Sequence, residues 1–169
     1  MRAVSMMCQL FSGKLERVTE SRWLDEHQQR AWRSYLAMNT QLNARLHRQL
    51  QADSGLSLAD FAVLVQLTDS PDERVRVLEL AQALQWEKSR LSHHLARMQR
   101  RGLISRQDCP EDARGTFIVL TPHGRKAIED AAPRHVDTVR DLVFDQLTTE
   151  QVDTLHTIAT QVLARLAHR

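Results

Sequence analysis

The chain has 169 residues, 42% hydrophobic and 26% charged, which is the balance of a soluble protein with one domain or two small intertwined subdomains. Its formal net charge of +2 excludes a uniformly basic chromatin-coating protein, and Cys8 and Cys109, far apart and without a Cys-x-x-Cys pair, exclude a disulfide framework or a structural zinc site. No apolar run approaches the ~20 residues of a membrane span, and MRAVSMMCQLFSGK is too short in apolar residues for a secretory signal, so the expectation is a cytoplasmic protein with no membrane partner.

Residues 1–20 show no sustained periodicity and read as a flexible N-terminal extension. From Arg22 to about Gln51 there is no Gly or Pro, and Trp32, Tyr35, Leu42, Leu46 and Leu50 recur at helical spacing. This predicts a long amphipathic helix closed by Asp53-Ser54-Gly55. Ser57 is a good N-cap for a second, short helix, LADFAVLVQLT, with Asp60 at the third position imitating a capping box. Asp69-Ser70-Pro71-Asp72 is a turn, and Arg74-Val75-Arg76 forms one short strand. Val77 to Leu84 is a short helix with Leu80, Ala83 and Leu84 inward, and Gln85-Trp86 turns the chain.

The next helix runs from about Glu87 to Arg101 and ends at Gly102, a residue suited to a left-handed C-cap. Leu103 to Arg106 and Thr116 to Leu120 are strand-like, with Pro110 and Gly115 bracketing the loop between them. Thr121 caps a further helix with Pro122 at its first position; it runs towards Gln146, with a kink expected at Pro133. A last helix starts at Thr148 or Thr149 and carries Val152, Leu155, Ala159, Val162 and Leu166 at three- and four-residue steps. The fold class is therefore mainly α with a small β-hairpin wing: a winged helix-turn-helix over 53–120, and a helical dimerisation region over 21–52 and 121–169.

Charge singles out one segment. Lys88, Arg90, Arg97, Arg100, Arg101 and Arg106 crowd a stretch that has no Asp or Glu from Lys88 to Arg106, in a chain that is otherwise nearly balanced. A cationic helix followed by a charged two-stranded loop suits the backbone and groove of double-stranded DNA. Arg outnumbers Lys 20 to 3, which favours bidentate contacts, although codon bias in a GC-rich genome is the larger cause. No phosphate-binding Gly-rich loop, nucleophile elbow or metal-ligand pattern is present, so no catalytic residue, metal or cofactor is assigned and the chain is not read as an enzyme.

Leu80-Ala81, Ser89-x-x-Ser92, Leu95, Gly102-Leu103-Ile104, Asp112-x-Arg114 and Leu120-Thr121-x-x-Gly124 stand in an order and spacing that resembles the MarR-type (multiple antibiotic resistance regulator) transcriptional regulators. Helix order and length extend that resemblance from about Arg22 to the C-terminus. It implies a homodimer on a pseudo-palindromic operator, with recognition helices in successive major grooves and wings near the minor grooves. It also implies a repressor relieved by a small molecule or an oxidant.

The helical wheel agrees with this reading. Leu91, Leu95 and Met98 share one face, which must pack inward. Ser89, Arg90, His93 and Arg97 are the candidates for base edges, and Lys88, Ser92 and Arg101 for phosphates or positioning. Arg114 is the candidate wing-tip residue for the minor groove, with Asp112 orienting it or serving as a plain turn residue. Trp32 and Tyr35 are either core or dimer interface, or the wall of a pocket for a small aromatic effector. Three alternatives remain at this stage. Cys109 would serve a redox-responsive regulator, although Asp108, Glu111 and Asp112 disfavour its thiolate. His93-His94 would serve a metal sensor, although helix neighbours point apart. The third alternative is a dimeric interaction protein that keeps the fold without binding DNA.

Overall fold

The computed structural model describes residues 23–109 and 112–167, without the side chains of Cys109 and residues 112–114. The expected extension over 1–20 and Cys8 lie outside the described residues. The chain divides into two compact units, residues 1–44 and 45–169.

The first helix, α1 (Glu26–Ser54), starts four residues later than the apolar spacing predicts. Asp25 sets the start: its carboxylate accepts from the Gln28 amide at 2.8 Å, and Gln28 Oε1 accepts from the Asp25 amide at 3.1 Å. This reciprocal capping box satisfies two donors that a helix beginning at Arg22 would carry elsewhere. In the first unit, Trp32 and Tyr35 stack at 5.5 Å between ring centroids and are 40% and 49% exposed.

In the second unit, Leu50 of α1 enters a core built with α2 (Leu58–Thr68), α3 (Val77–Leu84) and α4 (Lys88–Arg100). Gly55, at φ +66, lets the chain leave α1. The inward residues of α3 are Leu80 and Ala81, with Leu84 half-buried. Ala83, expected inward, is exposed, because a helix of only eight residues buries one narrow stripe. Gln85 takes a left-handed conformation at φ 53 and turns the chain into α4.

Strands β1 (Arg74–Arg76), β2 (Ile104–Cys109) and β3 (Asp112–Leu120) form one antiparallel sheet in the order β1-β3-β2. The hairpin is longer than predicted. β2 continues to Cys109, β3 begins at Asp112, and the register shifts between Asp108 and Cys109. Gly115 therefore lies within β3 instead of closing a loop. Ladder pairing satisfies the backbone of this charged stretch, which side-chain composition alone does not signal.

The junction after the wing is tight. Gly102, at φ +73, ends α4. Thr121 caps α5 (Pro122–Leu142) by accepting from the Gly124 amide at 2.9 Å, while its hydroxyl lies 2.6 Å from Gly102 O and 3.0 Å from Leu103 O. Gly124 packs so close that a Cβ there would sit 2.0 Å from Leu103 O. The two motifs Gly102-Leu103-Ile104 and Leu120-Thr121-x-x-Gly124 are thus one joint. Helix α5 continues through the exposed Pro133 but stops at Leu142, not near Gln146. Val143 leaves helical geometry and a short 3-10 turn, Phe144–Gln146, follows. Thr148 then caps α6 (Thr149–Ala167), exchanging bonds with Gln151 at 2.9 and 3.3 Å. Helix α6 buries none of its residues within the chain.

Candidate nucleic-acid interface

Helix α4 presents two faces. Leu91, Leu95 and Met98 have no exposed surface, as the wheel requires. Lys88, Ser89, Arg90, Ser92, His93, Ala96, Arg97 and Arg100 are exposed, and the helix contains no acidic residue. The sequence-predicted contacts of this helix therefore share its solvent side. Arg106 of β2 reaches back to the Ser92 carbonyl at 3.5 Å, linking the wing strand to the helix.

Arg101, expected to meet a phosphate or position the helix, also has partners within the chain. Its Nη1 donates to Asp60 Oδ2 at 2.7 Å and its Nη2 to Gly55 O at 2.8 Å. Both guanidinium ends are engaged inside the chain because Arg101 follows the last turn of α4 and faces α2 across the core edge.

His94 is the residue that sequence reading missed. It is 5% exposed, beneath the basic solvent side of α4, while its neighbour His93 is exposed. The signal was present: positions 91, 94, 95 and 98 form one helical stripe, and only three of them are aliphatic. His94 Nδ1 accepts from Arg97 Nη2 at 2.9 Å. Arg has no acceptor, so Nδ1 carries the lone pair and the ring proton lies on Nε2. Nε2 is 3.1 Å from Asp60 Oδ1, close enough for electrostatic contact but off the line of a regular hydrogen bond.

Asp60 is 3% exposed and joins these groups. Its carboxylate accepts from the Ser57 amide at 2.9 Å and the Ser57 hydroxyl accepts from the Asp60 amide at 3.0 Å, completing the expected capping box. Burial pushes the Asp60 pKa up, but His94, Ser57 and Arg101 outweigh it and hold the carboxyl well below the usual carboxylate range. A charged aspartate at this position is tolerable because the Ser57 amide and Arg101 donate to it and His94 lies 3.1 Å away.

One aromatic ring, Trp86, flanks this chain of contacts, and another, Phe117, gathers arginines on the sheet. The Arg90 guanidinium lies 4.6 Å from the centroid of the Trp86 ring, and Trp86 meets His94 edge-on at 5.3 Å. On the sheet, Arg74 and Arg76 lie 5.0 and 5.4 Å from the Phe117 ring centroid. These β1 arginines bring cationic groups to the hairpin that the sequence reading did not include. The backbone of β3 carries Asp112 and Arg114, and β2 ends at Cys109, but their side chains lie outside the description. Among the described residues, no group of three or more His, Cys, Asp or Glu could hold a metal ion, and no helix is long and apolar enough to cross a membrane.

Residues 54–115 match the sequence model of the MarR family. The chain is 34% identical over 97 residues to the transcriptional regulator HosA of Escherichia coli O111:H-, covering 57% of this chain and 69% of that relative. The chain belongs to the MarR family of transcriptional regulators. The repressor YetL of Bacillus subtilis is 31% identical over 102 residues, 60% of either protein. A MarR family regulator from Streptomyces coelicolor, solved in complex with DNA, is 44% identical, with a TM-score of 0.82 over 85% of this chain and 90% of that one. In this MarR chain the matched residues run from the end of α1 through α2, α3, α4 and β2 into β3.

Proposed function

We propose that this chain is a sequence-specific DNA-binding repressor that acts as a homodimer on a pseudo-palindromic operator. The observation that carries the reading is the exposed, acid-free face of α4 over its buried Leu91, Leu95 and Met98 stripe. Ser89, Arg90, His93 and Arg97 read base edges, while Lys88 and Ser92 meet phosphates. Arg114 enters the minor groove and Asp112 orients it. Residues 53–120 serve as the DNA-binding part, and 21–52 with 121–169 as the dimerisation part. Leu155, Ile158, Val162, Leu163 and Leu166 of α6 leave 40–64% of their surfaces exposed, and a second copy is the occupant that covers them. The Streptomyces relative bound to DNA supports the same partner for this chain. The protein works in the cytoplasm and carries no catalytic role.

Trp32 and Tyr35 form a stacked, exposed aromatic pair that suits a small aromatic effector. Such a ligand releases DNA only as far as it binds the non-DNA geometry more tightly.

The test is a salt titration against duplexes selected from a random pool. A steep salt slope with a strong preference for one pseudo-palindrome is expected. Arg97→Ala should relax base preference, and Lys88→Ala should weaken all sequences alike. Binding without a salt slope would remove DNA as the partner. Release by peroxide that Cys109→Ser abolishes, with no release by phenols or aromatic acids, would replace the ligand by oxidation.

A further inference from the structure

Resting on the DNA-binding reading, we propose that Trp86 and His94 are positioning residues that aim Arg90 and Arg97 before DNA arrives, and so set sequence discrimination more than affinity. Neither is among the DNA contacts assigned above. Trp86 is half-buried and packs on the core. His94 is 5% exposed.

The geometry couples the four side chains. Trp86 holds the Arg90 guanidinium 4.6 Å from its ring centroid. The same indole braces His94 at 5.3 Å, with the rings perpendicular. His94 in turn accepts from Arg97 Nη2 at 2.9 Å, while its other nitrogen faces Asp60 Oδ1 at 3.1 Å. Asp60 therefore keeps the ring proton on Nε2, and that leaves Nδ1 free to hold Arg97. A salt-bridged carboxylate in the core thus sets the tautomer that orients an arginine on the surface.

An unheld arginine visits many rotamers, and ordering it on a base costs entropy at the moment of binding. A cation stacked on a ring keeps its N–H edge free, and Arg97 spends one of five N–H groups on His94. Each guanidinium therefore retains the paired donors that a guanine edge requires. Arg90 and Arg97 are seven residues apart, about 10 Å along the helix axis. That is roughly three base steps. Phosphate contacts tolerate a loosely held cation, whereas base edges do not, so loss of aim reduces specificity first.

The test uses the full chain, one duplex selected by the wild type from a random pool, and a shuffled duplex of equal length. Affinities for both are measured across a salt series, with thermal unfolding of each variant. Trp86→Leu and His94→Leu should lose about tenfold or more in the ratio of selected to shuffled binding, with the salt slope unchanged. Trp86→Phe keeps a cation-binding face and should retain the ratio within about threefold. His94→Asn, which keeps an acceptor near the Nδ1 position, should do the same. His94→Gln reaches towards Asp60 without that acceptor and should fail like His94→Leu. Asn and Gln are both polar, so this comparison decides the matter even if the Leu variants do not fold. Equal ratios for Asn, Gln and wild type would overturn the proposal while leaving DNA binding intact. A wild type that selects no sequence from the pool would overturn the DNA reading, and this proposal with it.

Discussion

Replacing Asp60 by Ala removes one carboxylate and strands three donors. The Ser57 amide loses its 2.9 Å acceptor at the start of α2, which costs about 1 kcal/mol, as for other lost caps. The buried His94 Nε2, already off the line of a regular hydrogen bond, loses its 3.1 Å electrostatic contact with Asp60 Oδ1, which costs about 1 kcal/mol. The Arg101 side chain is 44% exposed and can turn to water, so its lost 2.7 Å bond contributes no more than about 1 kcal/mol. The expected destabilisation is therefore about 2–3 kcal/mol, a substantial part of the ~5–15 kcal/mol available to a folded domain. Urea unfolding at a fixed protein concentration measures it, since a dimer's midpoint depends on concentration. Adding His94→Leu to Asp60→Ala removes the stranded histidine, so the double variant should be less destabilised than the two single losses summed. A loss below about 1 kcal/mol for Asp60→Ala, or strict additivity in the cycle, would refute the account of Asp60 as the hub of these contacts.

Gly124→Ala should destabilise the fold by about 1–3 kcal/mol or more, because the new Cβ would meet Leu103 O at 2.0 Å where only backbone can yield. Gly55→Ala, with nothing within 4 Å and only its φ of +66 to strain it, should cost about 1–2 kcal/mol; the reverse ranking in denaturant titrations would contradict the joint at Thr121. His135 packs on Phe61 at 4.4 Å and against Gln49, and burial lowers its pKa below 6.5. The unfolded chain then takes up this proton first, so stability present above about pH 6.5 falls as the pH drops towards the lowered value. His135→Gln should flatten that part of the pH–stability curve, and an unchanged slope would count against it. Leu163→Glu, at a position 64% exposed in the single chain, should shift sedimentation from twice the chain mass towards the monomer if α6 is the dimer seam. An unchanged dimer would place the seam elsewhere.

What the chain declares by itself is local. Helical spacing, the Ser57 and Thr121 caps, Gly102 after a basic helix, and the acid-free run from Lys88 to Arg106 all act within a few residues, so they were legible without coordinates. The inward stripe of Leu91, Leu95 and Met98 follows from a 3.6-residue period alone. What required the tertiary structure is everything that joins distant positions. Asp60 looks like a cap until His94 and Arg101, on another helix, are seen to converge on it. Arg101 sits in a basic run by sequence, and only the fold shows that it also bonds Asp60 and Gly55. The wing's length depends on which backbone groups find a ladder partner, and Gly124 matters because Leu103 lies against it. A period along one helix reports which side faces inward, but only packing between helices decides which buried polar group meets which partner.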